Sequence, residues 1–307
     1  MDIERMKKAF YGPVASITTP FTRSGEVDFD ALGKMVDFYV TAGSPTMLLT
    51  YGDSMYTILT DQEIAEITKF VIVQTAGRST VTACSGWALN KTLEFADSCR
   101  EWGADAFMVR PPEWAGSCNP ETLEVYFTAS AKRFPIVLMT SLLGGPLPLH
   151  MIDKLLDSGA DIVGIKDDVC AYYGRQLAAL IDGRCAFLSG GRKTHHFDQH
   201  FYGEVNGYLS VYLRFLPAVS RLYHNAIINK DYERAALVIK TFDLPFFDEL
   251  AAGIGLHFSA VIHAVMEVYG ICQRWQRLPY PSATDAQMEI IRDFMKRMEK
   301  ALQGFED

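Results

Sequence analysis

Ile162-Val163-Gly164-Ile165-Lys166-Asp167-Asp168 passes through four uncharged residues and stops at three charged ones. The apolar part is short and shows no polar alternation, so it reads as a parallel strand covered on both faces. Seven more runs share that character: Val14–Thr18, Thr46–Thr50, Thr80–Ser85, Ala106–Val109, Ile136–Thr140, Ala186–Ser189 and Tyr208–Val211. Helical spacing fills the gaps. In Asp28–Ala42, Leu32, Met35, Val36 and Tyr39 recur at intervals of three and four. Thr60-Asp61-Gln62-Glu63 carries a capping box, predicting a helix through Val73 with Gly77 near its stop. Asn119-Pro120 pairs an N-cap with proline at the first helical position, and Pro148 is expected to open the next helix in the same way. Eight βα units in series, with no Gly-rich dinucleotide loop after the first, predict an α/β fold. The closed (β/α)8 TIM barrel over residues 1–225 is favoured over an open doubly wound sheet. Past Leu216 the strand signals end. Residues 229–245, 247–272 and 284–303 read as helices, so residues 226–307 form a C-terminal helical extension that covers the barrel or supplies a subunit contact.

Of the 307 residues, 49% are hydrophobic and 21% charged, which suits a chain that folds on its own core without disulfides or metals. The net charge of −8 argues against a nucleic-acid partner, since phosphate binding needs surplus Lys and Arg. A small anion needs only a local positive pocket and stays open. Cys84, Cys99, Cys118, Cys170, Cys185 and Cys272 show no CxxC pairing and no metal-ligand spacing, so free thiols in a reducing compartment are expected. The N-terminal MDIERMKKAF lacks the apolar stretch of a signal peptide, and no run approaches the roughly 18 apolar residues of a membrane span. A cytoplasmic protein with no membrane contact and no cofactor is the expectation.

Barrel enzymes carry their chemistry at the C-terminal ends of the strands. That rule singles out Thr50–Asp53, Arg110–Glu113, Thr140–Gly145, Lys166–Asp168, Gly190–Lys193 and Tyr212–Arg214. Lys166 is the most informative of these residues. Burial in a barrel lining disfavours an ammonium, and a neutral amine can attack a ketone to give an imine, an electron sink for cleavage at neighbouring carbons. The competing possibility is that Lys166 has left the barrel and pairs with Asp167 or Asp168.

The chain also resembles the dihydrodipicolinate synthase and N-acetylneuraminate lyase family of Schiff-base, pyruvate-handling barrels. The likeness runs through Gly12–Phe21 (GPVASITTPF), Gly25–Asp28, Leu49–Asp53, Leu59–Glu63, Gly103–Ala106, Gly164-Ile165-Lys166, Leu188–Gly190 and Gly207–Val211. It implies a lyase, aldolase or dehydratase acting on a 2-keto acid, with Lys166 forming the imine. It implies that Thr50, Tyr51, Gly52 and Asp53 hold the keto acid's carboxylate, a role that suits a Gly-bearing turn. Thr140, Gly190, Gly207 and Ser210 complete the implied substrate site, and a homodimer or homotetramer is the implied assembly. The spacing from Gly52 to Thr60 is nearer the sialic acid lyase branch.

Departures from the family pattern matter as much. Met139 stands where the family has its proton-relaying tyrosine, and a thioether cannot shuttle a proton. Gly144 occupies the place of an arginine used for a second carboxylate, and Arg110-Pro111-Pro112-Glu113 lacks the family's aromatic pair. These losses argue against dihydrodipicolinate synthesis. They leave Tyr51, Glu113, Thr140 or Asp53 as the substitute acid–base, Tyr51 first. They also motivate an alternative, a catalytically degenerate barrel serving as a binding or assembly protein. His195, His196 and His200 are expected to be surface histidines rather than metal ligands, with His195 or His196 open to contact with substrate. Gly190–Lys193 could hold an anion at a helix start, and Trp87 and Trp114 could shape an apolar pocket wall.

Overall fold

Eight parallel strands close on themselves in chain order: β1 Gly12–Ser16, β2 Thr46–Leu48, β3 Thr80–Ser85, β4 Ala106–Val109, β5 Ile136–Met139, β6 Ile162–Asp167, β7 Ala186–Ser189 and β8 Gly207–Leu209. This is the computed structural model of the chain, which describes residues 1–111, 119–142 and 145–306. The barrel shuts where β8 pairs with β1, in the register Gly12↔Gly207, Pro13↔Tyr208, Val14↔Leu209. The fold is the expected (β/α)8 barrel, with strand positions matching the apolar runs to within about two residues. The expectations placed on Pro112, Glu113, Trp114, Cys118 and Gly144 lie outside the described residues.

Helices alternate with the strands: α1 Ile3–Phe10, α2 Phe29–Ala42, α3 Asp61–Thr75, α4 Leu89–Trp102, α5 Pro120–Ala131, α6 Leu149–Asp157, α7 Ala171–Ile181, α8 Lys193–Gln199 and α9 Pro217–Ile228. Thr60 caps α3, with its hydroxyl accepting from the Glu63 N–H while Glu63 accepts from the Thr60 N–H. Asn119 caps α5 ahead of Pro120. Pro148 is the N-cap of α6 rather than its first residue; either place spares it a hydrogen bond it cannot donate.

The barrel's last helix, α9, crosses the expected boundary at residues 225/226. Beyond it the chain differs from the long helices expected over 229–245 and 247–272. α10 covers Tyr232–Val238 and then widens into π-helical turns at Ile239–Asp243 and Pro245–Ala251. Pro245 has no N–H for an i→i−4 bond, so the wider register passes it without a lost donor. Gly255, at φ +72°, separates these turns from α11 Phe258–Val268, and α12 Asp285–Glu306 follows. The five described cysteines are buried and unbridged. No described helix is long and apolar enough to cross a membrane.

Candidate active site

Side-chain alternation along β6 points Ile165 and Asp167 one way and Lys166 the other. Lys166 is 4% exposed and lines a cavity of about 600 Å³ at the C-terminal mouth of the barrel. It has not left the barrel, yet it is paired: its ammonium donates to both carboxylate oxygens of Asp168. Asp168 also lines the cavity, and its side chain is 28% exposed. The family relay position, Met139, lies beside Lys166 in the β5–β6 register and faces the same cavity.

Asp167 turns away from the cavity into a cage of donors. The Thr140 hydroxyl donates to it at 2.7 Å, the Val169 and Cys170 N–H groups at 3.0 and 3.1 Å, and the Gln199 amide at 2.6 Å. Burial nevertheless pushes its carboxyl above the ordinary range, with the nearby Asp168 charge adding to that. The cage fixes the end of β6 and hence the approach of Lys166 and Asp168. Thr140 serves that cage: its hydroxyl also accepts from the Asp168 N–H at 3.2 Å, and it does not line the cavity. Gly190 acts in the same way. A Cβ there would lie 2.0 Å from an Asp168 carboxylate oxygen, so the glycine makes room for Asp168 rather than touching the cavity.

Thr50, Tyr51, Gly52 and Asp53 all line the cavity, as the sequence suggests. The turn is stitched internally, with the Asp53 N–H donating to the Thr50 hydroxyl and the Thr50 N–H to the Ser54 hydroxyl, each at 3.0 Å. Gly52 has open space before its Cα. The Tyr51 ring lies against Gly86 and stacks under the Arg110 guanidinium, 4.6 Å from its centroid. Asp53 accepts from the Arg214 guanidinium at 2.6 Å and from the Ser16 hydroxyl. Burial would raise the Asp53 carboxyl. The Arg214 charge, the Ser16 hydrogen bond and the Lys166 charge outweigh burial and hold it below the usual carboxylate range.

Arg214 is a residue to which sequence reasoning gives no role beyond its place at a strand end. It is 4% exposed, follows β8, and reaches the cavity between Ser16 and Asp53. Arg110 and Arg192 line the cavity as well, so among the described residues cationic side chains outnumber the carboxylates Asp53 and Asp168 there. The surplus attracts an anion.

The structure places other expected residues elsewhere. Gly207 begins β8, at the strand end opposite the cavity; a Cβ there would meet the Phe10 carbonyl at 1.8 Å, so it closes the barrel against α1. Ser210 bonds to the Ser220 hydroxyl of α9 at 2.7 Å and does not line the cavity. His195 does line it, whereas His196 is buried against the Tyr223 hydroxyl at 2.9 Å. Burial, with help from His200 and His224, lowers His196 to about 3. The start of α8 is already occupied: Asp243 accepts from the Lys193 N–H at 2.8 Å and from its ammonium at 2.5 Å. Trp87 packs edge-on against Phe95 and does not reach the cavity. Phe247 and Phe258 supply the apolar wall instead, together with Met139, Leu209 and Val211. No group of three or more His, Cys, Asp or Glu that could hold a metal occurs among the described residues.

The (β/α)8 barrel and the family to which it belongs place the chain among the class I, Schiff-base-forming lyases, the enzyme class implied by the sequence. More particularly, the chain belongs to the dihydrodipicolinate synthetase family, whose model matches residues 9–298. It is 29% identical over 242 residues to the 4-hydroxy-tetrahydrodipicolinate synthase of Staphylococcus carnosus, covering 74% of this chain and 80% of that one. It is 24% identical over 299 residues to a probable 5-dehydro-4-deoxyglucarate dehydratase of Bradyrhizobium, covering 96% of this chain and 94% of the other. The crystal structure of N-acetylneuraminate lyase from Mycoplasma synoviae shares the fold, with a TM-score of 0.81 at 18% identity, covering 94% of this chain and 97% of that chain. Nothing in these matches favours the degenerate binding or assembly protein.

Proposed function

We propose that Lys166 attacks the C2 carbonyl of a 2-keto acid to form an imine, and that the enzyme cleaves or dehydrates a sugar-derived 2-keto acid from that intermediate. The observation that carries this reading is the placement of the Lys166 amine inside the cavity with the Thr50–Asp53 turn in the same lining. In this reading Thr50, Tyr51 and Gly52 receive the keto acid's carboxylate, and Asp53 holds Arg214 behind them. The cationic surplus supports an anionic substrate. A cavity of about 600 Å³ supports one longer than pyruvate, and the likeness to a dehydratase named for a sugar acid points the same way. Imine chemistry of this kind requires no external cofactor. We also propose a cytoplasmic homodimer or homotetramer, an oligomeric state that sedimentation measures directly.

Borohydride reduction in the presence of pyruvate tests the central step. One reduced pyruvate should appear on Lys166 by mass spectrometry, and Lys166→Ala should carry none. An unmodified Lys166 in the native protein would remove the imine from the account.

A further inference from the structure

We infer that Asp168 is the acid–base of imine formation, doing at the lysine itself what the absent relay tyrosine would do from Met139. The inference rests on the imine reading above. Both Asp168 oxygens contact the Lys166 ammonium, and the carboxylate faces the cavity from which a carbonyl would arrive.

The surroundings commit Asp168 to this position. Its N–H is held by the Thr140 hydroxyl at 3.2 Å. Gly190 leaves it space that any larger residue would take. Of the other candidates, Asp53 and Thr140 are committed elsewhere, Tyr51 lines the cavity beneath the Arg110 guanidinium, and Glu113 lies outside the described residues. Asp53 is tied to Arg214 and Ser16. Thr140 donates to Asp167, and Asp167 is enclosed by four donors. Among the described residues, the charged and titratable groups around Asp168 are Lys166, Asp167 and Cys170 on its own segment, and Tyr51, Asp53, Arg110, Arg192, His195 and Arg214 across the cavity lining. Of the carboxylates among them, Asp168 is the one bonded to the nucleophile.

The sequence of transfers balances. Lys166 passes one ammonium proton to Asp168 and becomes an amine. Its lone pair forms the N–C2 bond, the carbonyl electron pair moves to oxygen, and Asp168 returns the proton to that oxygen. Nitrogen then gives a second proton to Asp168. Asp168 hands it to the hydroxyl, the C2–O bond breaks, water leaves, and the nitrogen lone pair closes the C=N bond. An iminium and a carboxylate remain, so the net change is loss of one water from ammonium plus ketone. General acid–base catalysis of this kind contributes about 10²- to 10⁴-fold.

The competing role is simple charge pairing, and it predicts the opposite sign. A carboxylate that only stabilises the ammonium would, when removed, leave more free amine and speed imine formation. The test is the rate at which pyruvate becomes trapped on Lys166 by borohydride, followed by mass spectrometry in native protein, Asp168→Asn and Asp168→Ala. We expect Asp168→Asn to slow trapping by about 10²-fold or more. In Asp168→Ala, added formate should restore part of the rate, since a small carboxylate can occupy the vacated space. Rescue also reports that the variant is folded. Trapping in Asp168→Asn as fast as native, or faster, overturns the role of Asp168 while leaving the imine intact. Failure of formate to rescue Asp168→Ala overturns it too. Absence of the native adduct overturns the imine reading itself and the role of Asp168 with it.

Discussion

At the residue scale, the Asp53–Arg214 pair shows how a half-buried carboxylate stays ionised. Arg214 and Ser16 compensate for lost water, and the Asp53 carboxyl sits below its usual range. A depressed folded-state value stabilises the protein above the unfolded value of about 3.9, and that contribution is lost as pH falls through the lower folded value. Asp53→Asn should therefore destabilise at pH 7 by about 2 kcal/mol, leaving Arg214 without its charge partner. The gap between native and variant in urea unfolding should close as the pH falls through and below the ordinary carboxylate range, because the folded value is the lower one. A gap that stays constant with pH would mean that the pair contributes no ionisation-dependent stability. Thr50–Asp53 and Lys166 were legible in the sequence because strand ends in a parallel barrel converge on one mouth. Asp168 is readable in the sequence only as a possible ion-pair partner of Lys166, and Arg214 has no role there, because each acquires its further role from a partner or a gap elsewhere in the chain. Asp168 needs the space above Gly190, and Arg214 needs Asp53, 161 residues away. Gly190, Gly207, Ser210 and Thr140 illustrate the converse. Their places in motifs were readable, but whether each faces the cavity or the packing behind it depends on side-chain direction.

At the element scale, helix starts were read most accurately where a side chain caps its own backbone, since a capping box is a purely local arrangement. Glu63 adds a long-range function that the local pattern does not contain. Its two oxygens accept from Arg277 at 2.7 and 2.9 Å, tying the start of α3 to the segment between α11 and α12. The Arg277 hydrogen bonds are the largest influence on Glu63; with those from Thr60 they outweigh burial and lower its pKa to about 2. Glu63→Gln should weaken the Arg277 bridge while retaining a capping side chain, and Glu63→Ala should lose both. We expect about 1 kcal/mol for the first and about 2 kcal/mol for the second in chemical denaturation at pH 7. The native advantage should persist down through pH 4 and fade as the pH approaches 2, because the folded value is the lower one. Equal losses for Gln and Ala would show that the Arg277 bridge, and not the cap, accounts for the whole effect. The extension was less legible. Its apolar periodicity announced helices, but the passage into π turns at Ile239 and the break at Gly255 depend on what those turns pack against.

At the scale of the whole molecule, the extension is part of the site. Phe247, in the π-helical turns, and Phe258, at the start of α11, stack with centroids 5.9 Å apart and planes 10° apart, and both line the cavity. Arg192 reaches from the barrel to lie over Phe247 at 4.5 Å and to pair with Asp248 at 3.1 Å. The barrel thus supplies the amine and the Thr50–Asp53 turn of the cavity, while the extension supplies a wall that, in the proposed reading, a short keto acid has little need to touch. That division predicts a separation of effects. Replacing both Phe247 and Phe258 by alanine should raise KM for an extended 2-keto acid by about tenfold, corresponding to roughly 1.4 kcal/mol of lost apolar contact. Trapping of pyruvate on Lys166 should slow far less, because the contacts proposed for pyruvate lie with Thr50–Gly52. Parallel losses in both assays would mean that the aromatic wall holds the mouth of the barrel in shape, and that the extension acts on the chemistry itself rather than on the length of substrate admitted.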